Sequence, residues 1–201
     1  MVKLPGNRLP ASSFSPLDSE TQRIVLTGFM GAGKSTVGRL IADRIGWDFL
    51  DLDICIETST GKSTRELFDA LGESGFRELE ADLWASVLQQ SQAIIAPGGA
   101  VIDKPENQRI LAESAGTFVI FLDAPFHTLI DRCIRQEQGE GATYRPLLHK
   151  TEIALERYLE RRVLYNKHAH LDINVADKAP EVVVQGILEA LFAIHRTATS
   201  N

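Results

Sequence analysis

The chain has 201 residues with 27 acidic and 21 basic side chains, a net charge of −6, and 44% hydrophobic content. That is enough apolar material for one sizeable core, which excludes general disorder, and the acidic balance speaks against bulk attraction to nucleic acid while leaving room for a locally basic pocket. The cysteines, Cys55 and Cys133, fit neither a disulfide framework nor a metal knuckle, and no apolar run is long enough to span a membrane, so the expectation is a cytosolic protein with reduced thiols.

Residues 1–22 open with "MVKLPGNRLPASSFSPLDSE", rich in Pro and Ser, without an apolar signal core and with acids at Asp18 and Glu20. This reads as a flexible arm rather than a targeting peptide. A single domain is expected over 23–195, with 196–201 as a tail. Its first strand is "RIVLT" (23–27), and "GFMGAGKST" (28–36) follows directly. Gly28, Gly33, Lys34 and Ser35 satisfy the phosphate-loop pattern, placed as it must be between a strand and a helix. Glycines let successive amides turn inward toward phosphate oxygens, and the following helix presents its positive end to the same anion. Lys34 can reach the β- and γ-phosphates and the Ser35 hydroxyl can ligate Mg²⁺. Gly31, Ala32, Gly33, Lys34, Ser35 and Thr36 are therefore the expected contacts of a nucleoside triphosphate, with Mg²⁺ as its expected companion. Val37, Leu40, Ile41 and Ile45 give that helix its apolar face.

The next buried-looking run is "DFLDL" (48–52), and "FLDLD" puts Asp51 and Asp53 at the end of this second strand. Carboxyl ends of strands in open α/β sheets face the ligand crevice, and residues two apart on a strand point the same way. One acid could hold Mg²⁺ through water and the other could bind or deprotonate an acceptor hydroxyl. "STRE" (63–66) forms a capping box, with Gly72 expected to end that short helix. Leu79, Leu83, Val87 and Leu88 continue at helical spacing. Further strands are expected at "AIIAP" (93–97), "TFVIFLD" (117–123) and "LDINV" (171–175). Strands alternating with helices imply crossover units in a parallel sheet, and continuous apolar runs suit strands covered on both faces. The polar, glycine-containing stretch 135–148 reads as a lid. "HAH" (168–170) lacks further metal ligands and is read as structural, as are Cys55, Trp47 and Trp84. Pro180 fits the first turn of a final helix carrying Val183, Val184, Ile187, Leu188 and Leu191.

A phosphate loop alone does not separate a GTPase, an ATPase motor and a small-molecule kinase. No N-K-x-D motif for guanine is present, and although Asp123 ends an apolar strand as in motors, the "APF" after it suits a strand-to-helix turn. "GFMGAGKSTVGRLIA", "FLDLD", "GKSTRELF", "GESGFRELE", "GG", "RPLL" and "ERRVLY" occur in the order and approximate spacing of the shikimate kinases, and the resemblance runs from about residue 23 to 192. It implies a three-layer α/β sandwich of the P-loop kinase type. In it a five-stranded parallel sheet, order 2-3-1-4-5, is flanked by helices and carries a mobile lid at about 135–149. It implies transfer of the γ-phosphate of ATP to the 3-hydroxyl of shikimate, in the cytoplasm, by a monomer with no nucleic-acid or membrane partner. Lys34, Asp53 and Arg145 are the implied catalytic residues. Asp53 contacts the substrate hydroxyls as candidate base, Asp51 lies near Mg²⁺ through water, and Arg145 closes over the phosphates. Arg77, steadied by Glu80 one turn on, and Arg161 are the implied forks for the substrate carboxylate, with Arg162 adjoining the latter. Gly98 and Gly99 are implied substrate contacts. Pro97 stands where the family more often has a glycine, which removes one amide donor. An adenine-side arginine is usual about seven residues before Arg145. That position is Gln138 here, with Arg135 nearest, and Lys178 is expected to border adenine. Another small-molecule kinase, for example for gluconate, and a non-catalytic ligand sensor are the alternatives.

Overall fold

The computed structural model describes residues 20–137 and 150–198. Five strands, β1 (Arg23–Thr27), β2 (Asp48–Asp51), β3 (Ala93–Ala96), β4 (Thr117–Asp123) and β5 (Leu171–Asn174), form one sheet. Its order is β2-β3-β1-β4-β5 with every pair parallel, as the resemblance implied. The central position of β1 explains its composition. Ile24, Val25 and Leu26 are fully buried, being covered on both faces. Arg23 at its start is buried as well, and donates to the carbonyls of Gln90 and Ala115 below the sheet.

The helices are α1 (Lys34–Ile45), α2 (Leu52–Thr60), α3 (Thr64–Val87), α4 (Pro105–Glu113), α5 (Phe126–Glu137), α6 (Thr151–His168) and α7 (Pro180–Ala198). α1 and α7 bury Val37, Ile41, Val183, Val184, Ile187 and Leu191 in the main core together with the sheet. Ser63 and Glu66 make the expected capping box, each bonded to the other's amide at 2.7 and 3.3 Å. Gly72, at φ 67° and ψ 179°, breaks α3 into two helical segments. The segment bearing Leu67 and that bearing Phe76 close with Ile56 of α2 into a second, smaller core, flanked by Phe68, Leu79 and Leu83.

Three expected strand ends are shorter. Leu52, Pro97 and Val175 lie outside the sheet. At Leu52 the cause is local: the Asp51 side chain accepts from the Asp53 amide at 3.2 Å and caps α2, so the chain turns helical there. Asp53 thus sits in the first turn of a helix and not on a strand. The histidines of "HAH" lie on different elements: His168 ends α6 and bonds Gln108, while His170 precedes β5 and accepts the Val119 amide. No cluster of three or more His, Cys, Asp or Glu side chains placed to hold a metal occurs among the described residues.

Candidate active site

The phosphate loop joins β1 to α1 at the carboxyl end of the sheet. Gly33 caps α1 in the left-handed conformation (φ 89°), no side chain caps that end, and no acid occupies the first turn. The helix start therefore offers amides and a positive dipole with no capping side chain or first-turn acid of its own to satisfy them. Gly31 has φ 80°, and a Cβ there would strike the Leu129 carbonyl and come within 3.0 Å of the Cys133 sulfur, so α5 presses directly on the loop. Lys34 folds its ammonium back over the loop, donating to the Gly28 carbonyl at 2.8 Å and the Phe29 carbonyl at 3.3 Å.

Ser35, one residue into α1, donates its hydroxyl to Asp51 Oδ2 at 2.6 Å. A hydroxyl and a carboxylate oxygen held together beside an anion-seeking loop are the hard oxygen donors that Mg²⁺ takes, and they fit that ion. Asp123, the other acid at a strand end, is engaged elsewhere: Arg162 donates to it from Nε and, at 2.7 Å, from Nη2. The motor-like reading of that strand finds no support in this pairing.

Asp53 stands between the two halves of the site. Burial, then Asp51 and Glu80, push its carboxyl up from the ordinary 3.8 to about 6, opposed by Lys34 and Arg77. Arg77 projects from the second segment of α3. Its guanidinium lies 5.7 and 5.4 Å from the rings of Phe68 and Phe76 and donates to Glu80 Oε2 at 2.7 Å. Glu80 is 1% exposed, and burial raises its pKa although Arg77 opposes the rise. Its Oε1 has no hydrogen-bond partner among the described residues. A buried acceptor left open costs free energy unless a donor arrives, which marks this oxygen as a place for a ligand hydroxyl or water.

The loop after β3 closes the floor. A Cβ on Gly98 would strike Glu80 Oε1 and lie 3.4 Å from Asp53 Oδ1, so only glycine leaves that space open. Gly99 sits beside Arg161 Nη1 and the Gly28 carbonyl of the phosphate loop, and its own carbonyl accepts the Tyr165 hydroxyl at 2.7 Å. Pro97 is buried and lines a small cavity with Trp84 and Tyr165, where it has no amide to donate. Of the adjoining arginines, Arg161 is the buried one facing Gly99, whereas Arg162 is exposed and tied to Asp123. Cys55 is buried, its thiol pushed up to about 11 by burial and then Asp51, consistent with a packing role.

Lys34, Ser35, Asp51, Asp53, Arg77, Gly98, Gly99 and Arg161 are thus brought to one end of the sheet. Arg145 and Gln138 lie outside the described residues. Lys178 is exposed in the turn before α7. Arg135 is exposed too, and the arginine that reaches toward this turn is Arg132, one helical turn earlier, which donates to the Val175 carbonyl at 2.7 Å. Sequence reading also missed Asp103 and Lys104. Asp103 accepts from Arg161 Nε at 2.9 Å and Nη2 at 2.7 Å, and Lys104 donates to the Arg77 carbonyl at 3.1 Å. Their place just before Pro105 reads only as the approach to a helix, so no local pattern announced them.

A family model described as shikimate kinase matches residues 30–192. A shikimate kinase from Synechococcus sp. (strain CC9605) is 38% identical over 96% of both chains. One from Lactococcus lactis subsp. lactis is 40% identical over 83% of this chain and 96% of its own. Among solved structures, a shikimate kinase from Acinetobacter baumannii in complex with shikimate superposes with a TM-score of 0.74 at 31% identity, covering 86% of this chain and 93% of that one. A gluconokinase from Sinorhizobium meliloti 1021 reaches a TM-score of 0.59 at 21% identity, a likeness of fold alone.

Proposed function

This chain belongs to the shikimate kinase family, and we propose that the pocket at the carboxyl end of its sheet is where it performs the family's reaction. The reaction is transfer of the γ-phosphate of ATP to the 3-hydroxyl of shikimate, giving shikimate 3-phosphate and ADP. One observation carries the assignment of the site: Asp53 feels the charge of both Lys34, on the phosphate side, and Arg77, on the acid side. A base in that position can touch an alcohol while the two cationic groups hold its reaction partners apart at a fixed distance.

Gly31, Ala32, Gly33, Ser35 and Thr36 bind the phosphates through loop amides and the start of α1, and Lys34 swings from its carbonyl contacts to the β- and γ-oxygens. Ser35 and Asp51 would hold Mg²⁺, directly and through water respectively. When bound, that ion neutralises charge shared between the β- and γ-phosphates. Arg77 and Arg161 take the carboxylate of shikimate as charged forks, and Gly98 and Gly99 leave room for its ring. Asp53 Oδ1 accepts the proton of the 3-hydroxyl as the oxygen attacks phosphorus. A carboxyl raised to about 6 is a stronger base than an ordinary one and is still mostly ionised at neutral pH. Glu80 Oε1 accepts from another substrate hydroxyl. Arg145, in the proposed lid, completes the positive surround of the transferred group, and Lys178 borders adenine.

The proposed compartment is the cytoplasm, supported by two buried free thiols, and the proposed acting unit is a monomer working on small molecules. The net charge of −6 supports the absence of a nucleic-acid partner, and no described helix is long and apolar enough to cross a membrane. A coupled ADP-release assay with shikimate, quinate and gluconate side by side tests the function. Mg²⁺-dependent release with shikimate is expected. Release that is independent of shikimate, or faster with gluconate, overturns it.

A further inference from the structure

We infer that Asp103 is a positioning residue for the acid substrate, acting through Arg161 by holding one edge of its guanidinium so that the other faces the pocket. This rests on the reading of Arg161 as a carboxylate fork. A guanidinium carries five donors in one plane. Asp103 engages the side edge alone, both its oxygens lying within 3.2 Å of Nε and its Oδ2 2.7 Å from Nη2. Such bidentate contact leaves no rotation about the last bonds of the side chain. Nη1 is thereby turned to Gly99, whose carbonyl is pinned by Tyr165 one turn further along α6.

Neutralising a buried charge does not by itself account for the arrangement. Arg161 is 8% exposed and Glu80 already lies within its electrostatic reach, so a counter-charge exists without Asp103. Burial, the largest single influence, works against the charged guanidinium, and the Asp103 hydrogen bonds together with the surrounding charges, Glu80 among them, more than offset it, which keeps the fork cationic. What Asp103 adds is direction. It ends the 3-10 turn Val101–Asp103 that begins two residues after Gly99, so the segment that forms the floor of the pocket also aims the fork above it. The next residue, Lys104, holds the Arg77 carbonyl at 3.1 Å. Two neighbouring side chains of one loop are therefore tied to both acid-binding arginines, and the distance between the forks is referred to a single backbone. An acid ligand meets a fork already oriented, without spending affinity on ordering it.

The test measures KM and kcat for Asp103→Asn, Asp103→Glu and Arg161→Ala with ATP and either shikimate or its uncharged methyl ester. Asp103→Asn is expected to raise KM for shikimate roughly tenfold, the loss of one charged hydrogen bond, with kcat and KM for ATP unchanged. With the methyl ester, Asp103→Asn and wild type should have the same KM. Asp103→Glu displaces the carboxylate by one methylene and should raise KM for the acid by a smaller factor, again sparing the ester; it carries the test if the Asn protein does not fold. An unchanged or lower KM for shikimate in Asp103→Asn, or an equal penalty on acid and ester, overturns the inference. If Arg161→Ala leaves KM for shikimate unaltered, the fork reading itself fails. If Arg161→Ala raises it and the Asp103 variants do not, only the positioning role fails.

Discussion

Asp53→Asn should make the protein more stable while removing its activity. The side chain is partly buried, Asp51 and Glu80 add negative charge beside it, and its carboxyl titrates at about 6 against an ordinary 3.8. That difference corresponds to about 3 kcal/mol set against the folded state once the group ionises. Solvent access reduces this to about 1–2 kcal/mol. The pKa is raised on folding, so the cost is nearly absent at and below pH 3.8, grows as pH rises, and is complete above about 6. An amide of the same shape carries no such cost. For a chain of this size the variant should melt about 2–8 °C higher at pH 7.5, measured by calorimetry without nucleotide. The gap should narrow as the pH is lowered toward 3.8. Turnover should fall by roughly 10²–10⁴-fold, with ATP binding retained. A variant that melts no higher than wild type at neutral pH, or whose advantage persists unchanged in acid, would refute the view that Asp53 is held charged against its surroundings.

The same titration should make wild-type kcat/KM for shikimate decline as pH falls through about 6, seen in a pH–rate profile. Arg77→Ala should raise KM for shikimate by roughly tenfold or more while leaving KM for ATP unchanged, and should lower thermal stability because buried Glu80 loses its 2.7 Å partner. Gly98→Ala sets a methyl group against Glu80 Oε1 and beside Asp53, so kcat/KM for shikimate should drop about a hundredfold while nucleotide still binds by fluorescence titration. Ser35→Ala removes the hydroxyl bonded to Asp51, and the Mg²⁺ concentration giving half-maximal rate should rise roughly tenfold.

Most of the frame was legible because its determinants are local. Uninterrupted apolar runs marked each strand to within a residue, and the Ser63–Glu66 box and Pro180 marked helix starts through contacts only three or four residues long. Asp53 was placed correctly beside the phosphate loop but on the wrong element, because the decisive contact is Asp51 capping α2, which looks in sequence like one more strand residue. The four residues from Arg161 to Tyr165 pointed to Arg161, with Arg162 only one residue away. What separates them is which of two distant acids each meets, Asp103 being 58 and Asp123 being 39 residues away. Arg132 was passed over for the same reason, since its partner is a backbone carbonyl 43 residues on, and carbonyls leave no trace in composition.

The small core of Ile56, Leu67 and Phe76 has a consequence for how such a chain changes over time. Arg77 rides on this satellite, whereas Lys34 and Ser35 belong to α1, packed on the main core. Substitutions that reshape the satellite away from Leu83, where the two cores meet, can retune which acid is preferred with little disturbance to the nucleotide half, whose stability derives mainly from the larger core. New specificities can therefore be explored at modest risk to folding, with the two glycines of the pocket floor as the fixed border between what drifts and what does not.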